Sequence, residues 1–358
     1  MELNRRSVLK TGGAVALASS VGPWPIARAA DTLTVAAYGG EFEEIFRRTV
    51  IEPFEKKFSV RVIYDNSSSQ TQMYAKMRAG RGTAPFDIAA EMAAGQVILG
   101  AKEKLLQEIT EREVPNLKYV WDSSRKLIPP YGIVQNYQYL ALIWNKNKIK
   151  QPTSWLDYWQ AQKVYGEEIK GRVLSHGMSN YELAAYALIM GAKARGGDER
   201  HMEPAWELLR GLKPYLGPVV DTSAAAVPYM ENQQVWIGPY WSARSVYYMK
   251  RGLPIGMTVP KEGTISLGTT SAVPIGSKNK QLAYEFMNFR LDPEIQRDFC
   301  LAYSISPGRP DIPDWPADFV EQQVTTEAKM RALTFPDLDY LAAQQRSWTE
   351  TWQDIMAS

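Results

Sequence analysis

Three polar clusters follow three apolar, strand-like segments near the start of the chain: Tyr38-Gly39-Gly40, Ser67-Ser68-Ser69 and Glu91. An aromatic ring, short hydroxyls and a carboxylate can hold a small molecule by stacking, hydrogen bonding and charge pairing. Glycine also lets the backbone approach a ligand closely. The alternative is that these glycines and serines only form turns. Because ligands bind beyond the carboxyl ends of parallel strands, the three clusters together predict a binding site.

Alternating segments are predicted to position these clusters. Strand-like runs at 33–37, 60–64 and 85–90 alternate with helical patterns at 41–58 and 70–79. Such alternation is typical of βαβ units, in which a mostly parallel sheet has helices on both faces.

The rest of the chain predicts a second unit and a return to the first. The β-prone run 131–144 leads into a helix for which Ser154 is the predicted N-cap. Later predicted elements are helices at 180–194, 201–213 and 281–291, strands at 171–174, 234–238 and 270–275, and a helical tail from Val320. We therefore predict a first lobe of residues 31–140 and 265–310, and a second lobe of residues 141–264 and 311–358.

Residues 1–30 have the pattern of an export signal. Arg5-Arg6 precedes a short apolar run, and Ala27-Arg28-Ala29 is typical of a signal peptidase site. The run is shorter than the ~20 residues of a membrane-spanning helix. We predict export to the periplasm by the twin-arginine pathway, with an ordinary Sec signal as the alternative.

Composition restricts the partners. The chain of 358 residues has 41 Lys and Arg against 39 Asp and Glu, and this balance argues against nucleic acid as the main partner. Cys300 is the only cysteine, so the chain forms no internal disulfide, and its apolar neighbours predict a buried, inert thiol. The sequence has neither a phosphate-binding Gly-rich loop nor a His-Glu-x-x-His motif, and we predict no cofactor.

Seven segments, taken in order, resemble the spermidine/putrescine-binding branch of the extracellular solute-binding proteins of ABC importers. They are Leu33–Gly40, Phe86–Ile88, Tyr139–Asn145, Pro152–Trp155, Val235–Trp241, Ala272–Gly276 and Ala283–Phe289. The resemblance implies a type II periplasmic-binding-protein-like α/β fold with two lobes, each a mixed, mostly parallel sheet flanked by helices. It also implies a ligand cleft between the lobes and a closure that a permease and ATPase complex at the inner membrane detects. We expect a monomer.

The resemblance places aromatic side chains at Tyr38 and Trp241, where they would flank a ligand. The positions at which that branch carries acidic residues hold Met178, Tyr181 and Thr269 in this chain. A polyamine would therefore lack charge partners, and an unpaired buried ammonium costs several kcal/mol.

A single carboxylate, Glu91, and a single cation, Arg244, would instead suit a zwitterion. The ligand is thus predicted to be polyamine-like, amino-acid-like or opine-like. The predicted ligand-binding residues are Tyr38, Gly39, Ser67, Ser68, Glu91, Tyr181, Tyr240, Trp241, Arg244, Thr269 and Thr270.

Two other functions use the same fold. Ferric-ion-binding relatives use neighbouring tyrosines, and Tyr240 lies near such a position, but Trp241 follows it and only His176 and His201 could add imidazole ligands. A thiaminase-like enzyme needs a cysteine nucleophile beside a base, and Cys300 lies in the wrong context. We predict a binding protein that is not an enzyme, with no metal site.

Overall fold

The computed structural model describes residues 31–67, 70–80 and 82–358. The predicted signal segment and Ser68 lie outside the described residues. Within these ranges the strands are β1 (Thr32–Ala37), β2 (Arg61–Asn66), β3 (Ile88–Ala93), β4 (Ile133–Asn145), β5 (Val173–His176), β6 (Leu216–Val220), β7 (Ile237–Trp241), β8 (Ile255–Thr258), β9 (Thr264–Ala272), β10 (Ser306–Pro307) and β11 (Leu333–Thr334).

Helices cover the strands, and the predicted helix at 41–58 is confirmed with a π-helical segment, Arg47–Ile51, in its middle. The α-helices are α1 (Glu41–Phe46), α2 (Glu52–Phe58), α3 (Gln70–Gly80), α4 (Ala94–Lys102), α5 (Asp122–Leu127), α6 (Trp155–Trp159), α7 (Ala161–Tyr165), α8 (Tyr181–Ala194), α9 (Glu203–Leu212), α10 (Val227–Glu231), α11 (Ser242–Lys250), α12 (Lys280–Arg290), α13 (Pro293–Tyr303), α14 (Ala317–Gln322), α15 (Glu327–Arg331) and α16 (Leu338–Ala357). The predicted cap is also confirmed, since the Ser154 hydroxyl accepts a hydrogen bond from the Leu156 amide.

One long strand connects two halves of the sheet. The strand order is β2-β1-β3-β9-β4-β7-β5-β6, with β8 and β10 also paired to β4, and β11 to β9. Residues 133–139 of β4 pair with β9, whereas residues 140–144 pair with β7. The chain therefore passes from the first half to the second within β4, and this supports the predicted lobe boundary at residue 140, which stays a prediction.

Each half has its own apolar core. In the first half Phe46 and Phe54 pack edge-to-face on Phe286, with ring centroids 6.2 and 4.9 Å apart. The second half is built around Trp155 and the apolar helix α8. Separate cores are what two semi-independent lobes require.

Three strands differ from their predicted bounds by three residues or more. The pairing partner, rather than local composition, sets where each begins. Strand β3 includes Glu91, strand β7 includes Tyr240 and Trp241, and strand β9 begins at Thr264. The last two extensions follow from antiparallel pairing with β4, in which Trp241 lies opposite Leu140.

The C-terminal segment is shared between the halves. Phe319 packs in the core of the first half, together with Phe299, whereas Leu341 and Trp348 of α16 pack in the core of the second. We propose to assign residues 311–335 to the first lobe, and α16 to the second. Among the described residues, no helix combines the length and apolar character that crossing a bilayer requires.

Candidate ligand-binding cleft

Tyr38 follows β1, between the two halves. Its ring packs edge-to-face on Phe42 at 5.3 Å, and the Gln70 side chain hydrogen-bonds its hydroxyl. Burial first, and then the charges of Glu91 and Glu182, raise the pKa of Tyr38 well above its ordinary value. Glu182 belongs to the second half, so the Tyr38 hydroxyl faces both halves.

Gly39 and Ser67 lie in the loops that follow β1 and β2, and both make contacts within the protein. A Cβ atom on Gly39 would lie 2.1 Å from Nδ2 of Asn66, so a larger residue here would have to displace the Asn66 side chain. The Ser67 hydroxyl is buried and donates to Oδ1 of Asp65 at 3.0 Å, while Lys76 donates to it at 3.2 Å. Both residues thus have structural roles, and their predicted ligand contacts stay predictions.

Glu91 is not free to pair with a ligand, because its partner is Arg290. Nη2 of Arg290 lies 2.7 Å from Oε1 of Glu91, and both side chains are at most 2% exposed. The guanidinium also donates to the carbonyl of Ala90 and the hydroxyl of Ser271, and it lies over the ring of Phe46. Burial still raises the pKa of Glu91 to about 7. The prediction of Glu91 as a free ligand carboxylate is therefore corrected.

Three other predicted binders have partners or positions inside the protein. The Tyr181 hydroxyl donates to the carbonyl of Leu341 at 2.8 Å. The Thr270 hydroxyl donates to the carbonyl of Met92 at 2.8 Å, and Thr269 is buried in β9 between β3 and β4. The Tyr181 and Thr270 hydroxyls donate within the fold and can still accept from a ligand, so their predicted ligand contacts stay predictions.

Glu182, in the first turn of α8, is a carboxylate that the sequence reasoning missed. It is partly exposed, and within residues 31–67, 70–80 and 82–358 it forms no ion pair or hydrogen bond. Burial alone raises the pKa of Glu182 to about 7. The signal was present in the sequence, because Glu182 is the only charged residue in the apolar run Tyr181–Met190.

Two packed aromatic rings lie beside the helix that carries Glu182. Tyr186 follows it by one helical turn and packs edge-to-face on Trp241, with ring centroids 6.1 Å apart. The pKa of Tyr186 is raised by burial and next by the charge of Glu182. Trp241 ends β7 and is 6% exposed. The unpartnered carboxylate therefore lies one helical turn from a pair of packed aromatic rings, an arrangement that suits an alkylammonium group.

Arg244, in the first turn of α11, lies among tyrosines. Its guanidinium donates a hydrogen bond to the Tyr248 hydroxyl, and its pKa is raised first by the interaction with Tyr303 and further by Tyr240. The Tyr240 hydroxyl itself donates to the carbonyl of Ser223 at 2.6 Å. Tyr303 ends α13 of the first half, and no local pattern identified it. The two halves thus meet around Arg244.

The cysteine thiol and the tyrosine hydroxyls that an enzyme or a ferric-ion-binding protein would use are in unsuitable environments. Cys300 is fully buried, and burial raises its pKa, which disfavours the nucleophilic thiolate. Burial likewise raises the pKa of Tyr240 and Tyr248, which disfavours the phenolates that a ferric ion needs. In the part of the chain that the structure describes, no group of three or more His, Cys, Asp or Glu residues could hold a metal ion.

Known proteins match this chain over most of its length. The family model described as bacterial extracellular solute-binding protein matches residues 49–332. The spermidine/putrescine-binding periplasmic protein of Escherichia coli K12 is 27% identical over 298 residues, which cover 81% of this chain and 80% of that protein.

Solved structures share the fold. A putative extracellular solute-binding protein from Bordetella parapertussis aligns with a TM-score of 0.75 at 24% identity, over 92% of this chain and 100% of that one. The PBP AgtB from A. tumefaciens R10, in complex with agropinic acid, aligns with a TM-score of 0.72 at 17% identity, over 92% of this chain and 99% of that one. The predicted resemblance and the two-lobed fold are confirmed, and the chain belongs to the bacterial extracellular solute-binding protein family.

Proposed function

We propose that this solute-binding protein captures a small organic solute in the periplasm and delivers it, chemically unchanged, to the permease and ATPase complex of an ABC importer. The E. coli relative is a periplasmic polyamine-binding protein, and a protein of the same fold is in complex with agropinic acid. The predicted twin-arginine signal would bring the chain to the periplasm, where we propose that it acts as a monomer.

The unpartnered carboxylate of Glu182 is the observation that carries this proposal. A desolvated carboxylate without a partner is costly to keep, and groups of this kind cluster at functional sites. A cationic nitrogen from a ligand would supply the missing partner through charge-assisted hydrogen bonds. The burial that raises the pKa of Glu182 also reduces the screening of this pairing by water.

We place the ligand between the two halves, where it contacts Tyr38 and Tyr303 of the first and Glu182 and Trp241 of the second. Tyr38 and Trp241, at the carboxyl ends of β1 and β7, would hold the apolar part of the ligand, and Glu182 would bind its cationic end. Relative to the sequence-based prediction, Glu182 replaces Glu91 as the carboxylate.

Strands β4 and β9 provide a route for closure, because they run from the first half of the sheet towards the second. A solute that contacts both halves stabilises the arrangement in which they lie close together, by as much as its affinity for that state exceeds its affinity for the open one. The permease would then distinguish loaded from empty protein by shape.

Native mass spectrometry of the exported protein tests this function. We expect a complex with one small molecule, released on denaturation with the mass that it had before binding. Glu182→Gln should lose the complex, whereas Glu350→Gln, which alters an exposed ion pair with Arg346, should keep it. A product that differs in mass from the added compound would indicate an enzyme instead.

A further inference from the structure

Arg244 is a second charged group in the cleft without an ionic partner. Among the described residues, no carboxylate lies within the 4.0 Å ion-pair distance of its guanidinium. Its hydrogen bond goes to a neutral hydroxyl, that of Tyr248. Guanidinium groups that are withdrawn from solvent in proteins are normally paired with an acid, so Arg244 has the environment of a group that awaits an anion.

The other arginines of this region are paired with acids. Arg251, one residue beyond α11, lies 3.5 Å from Glu41, and Lys250 donates to the Ser304 hydroxyl at 3.2 Å. Arg290 is bound to Glu91. Glu41 interacts with Arg244 electrostatically, but its ion pair is with Arg251. A structural salt bridge therefore does not account for Arg244.

Arg244 and Glu182 do not neutralise each other. No ion pair joins them, and the pKa of Glu182 is raised by burial without a contribution from any cation. Aromatic rings connect the two places: Tyr186, one helical turn after Glu182, packs on Trp241 with ring centroids 6.1 Å apart, and Arg244 follows Trp241 by three residues. The cleft therefore has a negative end and a positive end with aromatic side chains in between.

We infer that the solute carries both a cationic nitrogen, which Glu182 binds, and an acidic group, which Arg244 binds, and that an apolar spacer separates them. The inference rests on the proposed function and adds the class of ligand. A guanidinium can bind a carboxylate through two parallel hydrogen bonds, and the Tyr248 hydroxyl lies beside it as a further donor.

The same geometry disfavours two other classes of solute. A linear diamine would bring its second ammonium to Arg244, where the two positive charges repel each other without a carboxylate to separate them. A short α-amino acid would reach one end only, because its ammonium and carboxylate are attached to the same carbon.

Isothermal titration of the mature protein with matched linear compounds tests this inference. The probes are ω-amino acids from 3-aminopropanoate to 8-aminooctanoate and the diamines of equal chain length. We expect at least one ω-amino acid to bind at least tenfold more tightly than its diamine. Arg244→Gln should weaken that binding about 100-fold, and Arg244→Lys by less, whereas Arg346→Gln, an exposed change of equal charge, should leave it unchanged.

The contrary outcomes separate the two proposals. Tighter binding of a diamine, binding that survives Arg244→Gln, or failure of every ω-amino acid would overturn the zwitterion inference. A solute of another class recovered from the exported protein would then leave the transport function standing. The absence of any co-purifying solute together with failure of all probes would count against the transport function as well.

Discussion

The guanidinium of Arg290 and the carboxylate of Glu91 form a buried ion pair with 2.7 Å between Nη2 and Oε1. The pair joins α12 to β3 beneath the cleft, and Arg290 also donates to the carbonyl of Ala90 and the hydroxyl of Ser271. It occupies the carboxylate that the sequence analysis predicted for a ligand, and in the proposed function Glu182 takes that role.

Breaking this pair should destabilise the fold. Arg290→Met leaves Glu91 buried without a partner and should lower the free energy of unfolding by about 3–5 kcal/mol. The double variant Glu91→Leu/Arg290→Met should lose less than the sum of the single changes, because no buried charge remains. Urea denaturation measures both. Lys102→Met removes the exposed ion pair with Asp339 and serves as the control, with a loss below about 1 kcal/mol. Equal losses in Arg290→Met and Lys102→Met would contradict the assignment of the Arg290 pair as structural.

Binding should strengthen as pH rises from 5.5 to 8. The pKa of Glu182 in the ligand-free protein is raised to about 7, and the cationic nitrogen binds the ionised form. At pH 6 a proton should therefore leave on binding, which titration in buffers of different ionisation heat detects. Tyr38 and Tyr186, which also face Glu182, stay neutral over this range, since burial raises their pKa further. Glu182→Gln should remove the dependence; if it persists, another group is responsible.

The same group sets the sign of a stability effect without ligand. Because the folded-state pKa of Glu182 lies above its ordinary value of 4.5, the folded protein holds more protons between pH 4.5 and 7. This contribution to stability is therefore lost as pH rises through that window. Glu91 titrates in the same direction, so the difference between the wild type and Glu182→Gln isolates Glu182. Glu182→Gln should be more stable than the wild type at pH 8, and equal stability there would contradict an unpaired, desolvated carboxylate.

The Trp241 ring should contribute apolar binding energy. Trp241→Ala should weaken binding of the tightest ω-amino acid by about 1–3 kcal/mol, since it removes the ring that packs on Tyr186. Trp315→Ala removes a ring stacked on Phe319, outside the proposed cleft, and is the matched control. Calorimetric titration at a temperature where both variants are folded gives the comparison. Equal affinities of the two variants would remove Trp241 from the site.

Cys300 should be inert in the folded protein. It has no exposed surface, and burial raises its pKa, so neither reagent nor base reaches a thiolate. A chromogenic disulfide reagent should react slowly with the native protein and fully in guanidinium chloride. Reaction of the native protein at the rate of a free thiol would reopen the nucleophile hypothesis.

The sequence predicted the order of the elements well, because apolar periodicity is a local property. The alternation from β1 to β3 and the apolar helix α8 follow directly from it. Strand ends were less predictable, since β3 and β9 extend by pairing with distant partners. Glu91 was thus placed at a strand end, although β3 continues past it to Ala93.

Site residues depended on contacts that the sequence does not record. The resemblance placed the second-lobe acidic positions on Met178 and Tyr181, and Tyr181 is one residue away from Glu182. The role of Glu91 changed because Arg290, 199 residues later, folds against it. Tyr303 reaches the cleft only because α13 packs on α1, where its ring lies 5.2 Å from that of Phe42.

Small-angle X-ray scattering of the wild type and Glu182→Gln, with and without the tightest-binding probe, tests most directly whether a solute bridges the two halves. The account predicts that the radius of gyration of the wild type falls when the probe is added, and that the Glu182→Gln curve does not change. A bound probe that leaves the wild-type curve unchanged, or an equal contraction in Glu182→Gln, would contradict it.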